Sequence, residues 1–153
     1  VSILFALKIA YSQYNGSKSH SFGHFRLPES LEFVGEDCFS SFGDNIEGEI
    51  NLPSSITAIP FASFRHMHFA NGTSLTFHDK IVRIENRAFD TQQFNNKIVW
   101  PVGLISIGDE AFRNCQSLTT IEIPSNITAI HTSAFENCVS LKEVILGNQV
   151  QTI

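Results

Sequence analysis

The feature that most constrains this chain is a phenylalanine that returns at a fixed interval behind a small residue. Cys38-Phe39, Ser63-Phe64, Ala88-Phe89, Ala111-Phe112 and Ala134-Phe135 place Phe at 39, 64, 89, 112 and 135, separated by 25, 25, 23 and 23 residues. Two further apolar columns keep the same register: Leu31, Ile56, Ile81, Leu104, Ile127 and Val150, and then Val34, Ile59, Ile84, Ile107, Ile130 and Ile153. Such a period predicts a β-rich repeat solenoid, in which each repeat buries its apolar face only against its neighbours. The size of the core then follows from repeat number rather than from the length of 153 residues.

Each repeat opens with a turn, at Pro28, Pro53, His78, Pro101, Pro124 and Gly147. Proline suits that point because its fixed φ ends the preceding strand and it has no N–H to offer a ladder. Ahead of each turn lies an apolar alternation: Ile50-Asn-Leu52, Leu75-Thr-Phe77, Ile98-Val-Trp100, Ile121-Glu-Ile123 and Val144-Ile-Leu146. Period two with β-branched and aromatic residues predicts strands, which stacking would line up in a parallel sheet. After the turn, pairs such as Ile56/Ile59 and Leu104/Ile107 predict a second short extended segment, and the small-Phe step a short helical or 3₁₀ turn. The stretches FASFRHMHFANG (61–72) and FDTQQFNN (89–96) depart from the pattern of the last two repeats. Insertions in such arrays map to loops on one face, where specificity is expected.

The net charge of −5, with no basic run, excludes nucleic-acid binding, which needs clustered Lys and Arg to replace phosphate counterions. Residues 1–12, VSILFALKIAYS, are apolar but too short to cross a bilayer, which takes roughly 20 residues. They read as the tail of a secretory signal cleaved before Gln13, with a first hydrophobic capping strand as the other reading. Residues 13–26 are an irregular linker or cap, and 27–153 hold about five repeats with a sixth truncated. The sequons at Asn15, Asn71 and Asn126 agree with export and are the candidate glycosylation sites. Cys115 and Cys138 share a repeat position, so they should lie on adjacent rungs. A bridge there fits strand spacing, but a column of small buried apolar side chains explains them as well, and buried thiols are the expectation.

At 111–130 the run AFRNCQSLTTIEIPSNITAI carries Ala-Phe, Cys, Leu and Ile-Pro in the spacing of a known repeat. It resembles the BspA-like leucine-rich repeat (type 5), and the resemblance covers 27–153. It implies a right-handed stack of 23–25-residue repeats, with a parallel sheet on one face and short strands or helical turns on the other. It further implies a secreted or cell-surface protein of the kind that adheres to host or matrix proteins, with no catalytic residues and no cofactor.

Three constellations could hold chemistry. In a strand His66 and His68 would point the same way and chelate one ion, with His20, His24 or His78 to complete the site. No carboxylate stands at a predictable distance, so loop histidines and no metal are the expectation. Cys115 and Cys138 belong to a packing column without a neighbouring base, which argues against nucleophilic catalysis. Asp109 and Glu110 are adjacent and point apart, unsuited to paired acid and base roles, so no enzyme is expected.

The binding face follows from the strand alternation. With Ile50, Leu75, Ile98, Ile121 and Val144 inward, one outward column is Glu49, Ser74, Lys97, Thr120 and Glu143, and the other Asn51, Thr76, Val99, Glu122 and Ile145. Rungs about 4.8 Å apart would make these one continuous surface roughly 20 Å long. The expected partner is a protein or glycoprotein, with any membrane anchor outside 1–153 and self-association through an uncapped C-terminal repeat. A structural spacer that projects another domain is the alternative, and a metal-dependent enzyme the third.

Overall fold

The computed structural model describes residues 27, 29–41, 49–67, 74–93 and 98–153. Among the described residues seven short strands, all paired in parallel, carry the fold: β1 (Glu49–Asn51), β2 (Ala58–Ile59), β3 (Ser74–Thr76), β4 (Arg83–Ile84), β5 (Ser106–Ile107), β6 (Thr120–Glu122) and β7 (Glu143–Ile145). The segments before the turns pair as β1 with β3 and β6 with β7; those after it form a three-stranded sheet in the order β2, β4, β5. Glu49 lies beside Ser74 and Arg83 beside Ser106, so the pairing offsets are those of the phenylalanines. An isolated parallel bridge between Ala129 and Thr152 repeats the second pattern.

The core is built on the three columns read from the sequence, although Ile153, the last member of one of them, and Val144, expected to face inward from β7, are exposed. Phe39, Phe64, Phe89 and Phe112 are fully buried and stack in line with the half-buried Phe135, ring centroids 5.2, 5.4, 5.2 and 5.6 Å apart. Offset stacking of this kind adds about 0.5–1.5 kcal/mol per pair beyond area burial. Phe77 and Trp100 meet Phe89 and Phe112 edge-on from the other side, at 5.9 and 5.5 Å. Ile56, Ile59, Ile81, Ile84, Leu104, Ile107 and Ile127 lie beside them, with Leu52, Met67, Ile98, Leu118, Ile121 and Ile123 also buried.

Around each phenylalanine the structure differs from the short helical turn that the sequence suggests. No helix forms among the described residues. Instead the residues two before and two after each Phe, such as Glu110 and Asn114 or Arg87 and Thr91, take left-handed φ values between 49° and 62° in all five repeats. None of the ten is glycine, although the conformation costs an ordinary residue roughly 1–2 kcal/mol. The gain is direction: alternating hands aim every second N–H along the stack. Glu110, Phe112 and Asn114 donate to the carbonyls of Thr132, Ala134 and Glu136 at 2.8–2.9 Å, and the Phe39, Phe64 and Phe89 turns repeat the pattern. A helix would have spent those N–H groups within its own rung and left the next one unpaired.

The sheet ahead of the turns also departs from expectation, because it is interrupted. Residues 98–100 belong to no strand, although the alternation survives: Ile98 is buried, Val99 is 74% exposed and Trp100 half-buried. A different bond is made at Trp100. In the β6/β7 pair the amide of Ile123 donates to Ile145 O. One repeat earlier the equivalent residues are Trp100 and Glu122, and there the indole Nε1–H takes the Glu122 carbonyl.

Candidate functional site

The outward columns occupy β1, β3, β6 and β7. Glu49 pairs with Ser74, Asn51 with Thr76, Thr120 with Glu143 and Glu122 with Ile145. Lys97 lies outside the described residues. Asn51, Val99, Glu122, Glu143 and Ile145 are exposed, and Thr120 is half-buried. The columns therefore stand in two pieces among the described residues, with the solvent-exposed Val99 between them.

On the turn side the structure joins charged residues that are far apart in sequence. Arg87 clamps Glu110 through two hydrogen bonds of 2.9 and 3.1 Å, Arg113 reaches the same carboxylate at 2.6 Å, and the Arg113 Nε lies 3.4 Å from Glu136. Hydrogen bonds from Arg87 first, and then Arg113, hold the Glu110 carboxyl below its usual range. A parallel ladder runs through the preceding position: Asn86 Oδ1 accepts from the Asp109 amide at 2.9 Å, and Asp109 Oδ1 from the Thr132 amide at 3.1 Å. Gly108 makes room for it, since a Cβ there would sit 2.4 Å from Asn86 Oδ1. Asp109 and Glu110 thus point apart as expected, each into its own inter-rung bonds.

Against this geometry stand the relatives. A family described as "BspA type Leucine rich repeat region (6 copies)" matches residues 8–90 and 66–153. The chain belongs to that family. No curated protein matches it. Its structure is similar to a leucine-rich repeat protein from Bacteroides ovatus, at 22% identity and a TM-score of 0.58, covering 82% of this chain and 37% of that one. It is also similar to a leucine rich cell surface protein from Faecalibacterium prausnitzii, at 23% identity and a TM-score of 0.49, covering 80% of this chain and 31% of that one. The chain spans about a third of the length of these two proteins, and the first likeness establishes a leucine-rich-repeat fold.

In this BspA-type array the cysteine column does more than pack. Cys115 Sγ–H donates to Phe89 O at 3.3 Å and Cys138 Sγ–H to Phe112 O at 3.2 Å, while Gln92, at the same position one repeat earlier, donates through Nε2 to Phe64 O. The column thus supplies a donor to the phenylalanine carbonyl of the preceding rung, which a thiol or an amide can do and an aliphatic side chain cannot. Cys38, Cys115 and Cys138 are free thiols, and burial pushes the Cys115 thiol up, which suppresses reactivity.

Among the described residues, His66 and His78 join no cluster of metal-ligating side chains. His66 is half-buried in a left-handed turn position, with Met67 in the core beside it; His68, His20 and His24 lie outside the described residues. His78 occupies the turn position held by Pro28, Pro53, Pro101 and Pro124 in other repeats. Its Nε2–H donates to Pro53 O at 2.9 Å and its Nδ1 accepts from the Lys80 amide at 3.3 Å, an assignment forced by partners that can only accept and only donate. No group of three or more potential metal ligands occurs among the described residues. Of the sequons, Asn126 is exposed with its amide donating to Val102 O at 3.0 Å, and Asn15 and Asn71 lie outside the described residues.

Sequence reasoning passed over two features. One is the turn-side charge ladder, legible once Arg87 and Glu110, or Arg113 and Glu136, are set one repeat apart. The other is a hollow of about 360 Å³ beside β2 and β4, walled by Phe33 and Phe61. Its signal was two aromatic residues at positions that are small or polar in the other repeats.

Proposed function

We propose that this chain is a segment of a secreted or cell-surface protein that binds other macromolecules, adhesion to host or matrix proteins foremost, through the β1/β3 and β6/β7 face of a right-handed solenoid of 23–25-residue repeats. The observation that carries the reading is a contrast within one repeat. The inward Phe position never changes, while the equivalent outward positions Asn51, Val99, Glu122 and Ile145 are all exposed and differ in chemistry. A fixed core beneath a varied surface suits recognition, and repeat arrays use such extended faces for protein ligands. The adjacent carboxylates Asp109 and Glu110 are engaged in bonds between rungs, which supports a binding rather than a catalytic role. Family membership and the sequons at Asn15, Asn71 and Asn126 support the extracellular setting.

The test is binding of the chain to a panel of immobilised matrix and mucosal glycoproteins, with Val99→Glu and Ile145→Glu combined in one variant. Loss of binding to at least one partner is expected. Unchanged binding to every partner removes the sheet face, and no binding by the parent chain leaves the spacer reading.

A further inference from the structure

The hollow walled by Phe33 and Phe61 breaks the rules that the other repeats keep. Phe33 is 73% exposed, with its ring edge lying over Gly35, while the equivalent residues of the later repeats are Ala58, Arg83, Ser106 and Ala129. Phe61 is 40% exposed at the position held later by Asn86, Asp109 and Thr132. There Asn86 and Asp109 each accept the amide of the following rung, and phenylalanine offers no such acceptor. The second repeat therefore gives up a structural hydrogen bond and keeps an aromatic ring in solvent. A local rule broken with no structural return marks a position kept for contact with something else.

The surroundings say what that is. Pro60 and Ala58 floor the hollow between the two rings, and Glu36 and Glu85 are the charged groups that line it. Glu36 is exposed, and Glu85 meets Arg83 at 3.2 Å on the strand side. Among the described residues no cation lines the hollow itself, Arg83 lying beside it against Glu85, and the whole chain carries −5. An apolar slot with an acidic rim repels phosphates, so nucleic acid and anionic lipid surfaces are poor occupants. It complements a peptide that presents one bulky apolar side chain between basic ones, the ring or branch buried between the phenylalanines and the cations facing the carboxylates.

We propose that the Phe33/Phe61 hollow is a docking site for a basic peptide segment of a partner protein, anchored by one aromatic or branched aliphatic side chain. The proposal deepens the protein-binding reading by placing a contact beside β2 and β4, away from the β1/β3 and β6/β7 face. The experiment is selection of random dodecapeptides on the immobilised full chain, followed by affinity measurement by fluorescence anisotropy. Enriched peptides should carry Lys or Arg on both sides of a Phe, Trp or Leu. They should bind at least tenfold more weakly to the Phe33→Ser/Phe61→Ser variant and weaken as salt rises. Both rings are solvent-exposed, so far-UV circular dichroism and melting of that variant should match the parent. Should it fail to fold, Glu36→Lys/Glu85→Lys keeps the apolar walls and should reverse the charge preference of the selected peptides.

Several results overturn the proposal: no enrichment, an acidic or uncharged consensus, equal binding to either variant, or self-association that Phe33→Ser/Phe61→Ser abolishes, which would make a second copy the occupant. The Val99→Glu/Ile145→Glu variant separates this site from the sheet face. It should bind the selected peptides as the parent does, whether or not the sheet-face proposal survives.

Discussion

The two sides of the repeat behave differently under the same period. On the turn side, the ladder from Asp37 to Asn137 runs without a break through five repeats; on the sheet side, the β1/β3 and β6/β7 pairs stand apart, separated at residues 98–100. The turn side is specified several times over, by a buried Phe, two left-handed residues that aim amides at the next rung, a donor column and paired charges. The sheet side is specified mainly by alternation, and at Trp100 an indole N–H bonds the Glu122 carbonyl, whose counterpart in the next repeat, Ile145 O, receives a backbone amide. Continuity thus follows redundancy, and the side with less of it carries the exposed variation.

The sharpest way to break this contrast is at the aromatic column. Phe112→Ala should cost about 3–5 kcal/mol, a large share of a typical 5–15 kcal/mol total, whereas Val99→Ala should change stability by less than about 0.5 kcal/mol. Urea unfolding of the two variants measures both, and equal losses would abolish the distinction between the sides. Next in size is Gly108→Ala, where the new Cβ meets the Asn86 side chain and backbone at 2.4 and 2.7 Å. Overpacking of that kind costs about 1–3 kcal/mol, and a melting temperature equal to the parent's would deny the Asn86–Asp109 ladder its role.

The cysteine column sharpens the comparison further. Cys115→Ala removes the thiol that donates to the Phe89 carbonyl, at a cost of about 0.5–1.5 kcal/mol, and Cys115→Ser, which keeps a donor, should lose less. In the folded parent Cys115 should resist a thiol reagent that labels it fully in urea. The smallest effect concerns pH. The folded Glu110 carboxyl titrates below its unfolded value, so its contribution is present above the unfolded pKa of about 4.3 and is lost as pH falls through the folded one. Glu110→Gln should flatten the acid limb of stability against pH, and added salt should do the same to the parent; an unchanged acid limb would show the Arg87 clamp to be inert.

Much of this was legible in advance because a repeat tests every position several times. Phe39 to Phe135, the two aliphatic columns, the pairing offsets and the inward place of Ile98 and Ile121 all follow from spacing and period-two alternation. The turn around Phe was misread as helical because left-handed φ values leave no mark on composition: Ala62, Arg87 and Glu110 are all residues that favour helices. The break at Trp100 was hidden for a different reason. An indole in a strand position reads as a core residue, and only the placement of Glu122 shows where its N–H goes.

The sequence by itself therefore determined what must be buried and at what interval, since the apolar columns have no other way to leave water than against the same columns one repeat away. It also determined membership of the BspA-type family, whose signature is those columns. Tertiary structure decided how the rungs are joined: by alternating backbone hands beside each Phe, by thiol and amide donors to the Phe carbonyls, and by Arg87, Glu110, Arg113 and Glu136 in contact across rungs. These are matters of direction rather than of burial, and a bond's direction is settled only when the next rung is in place to receive it.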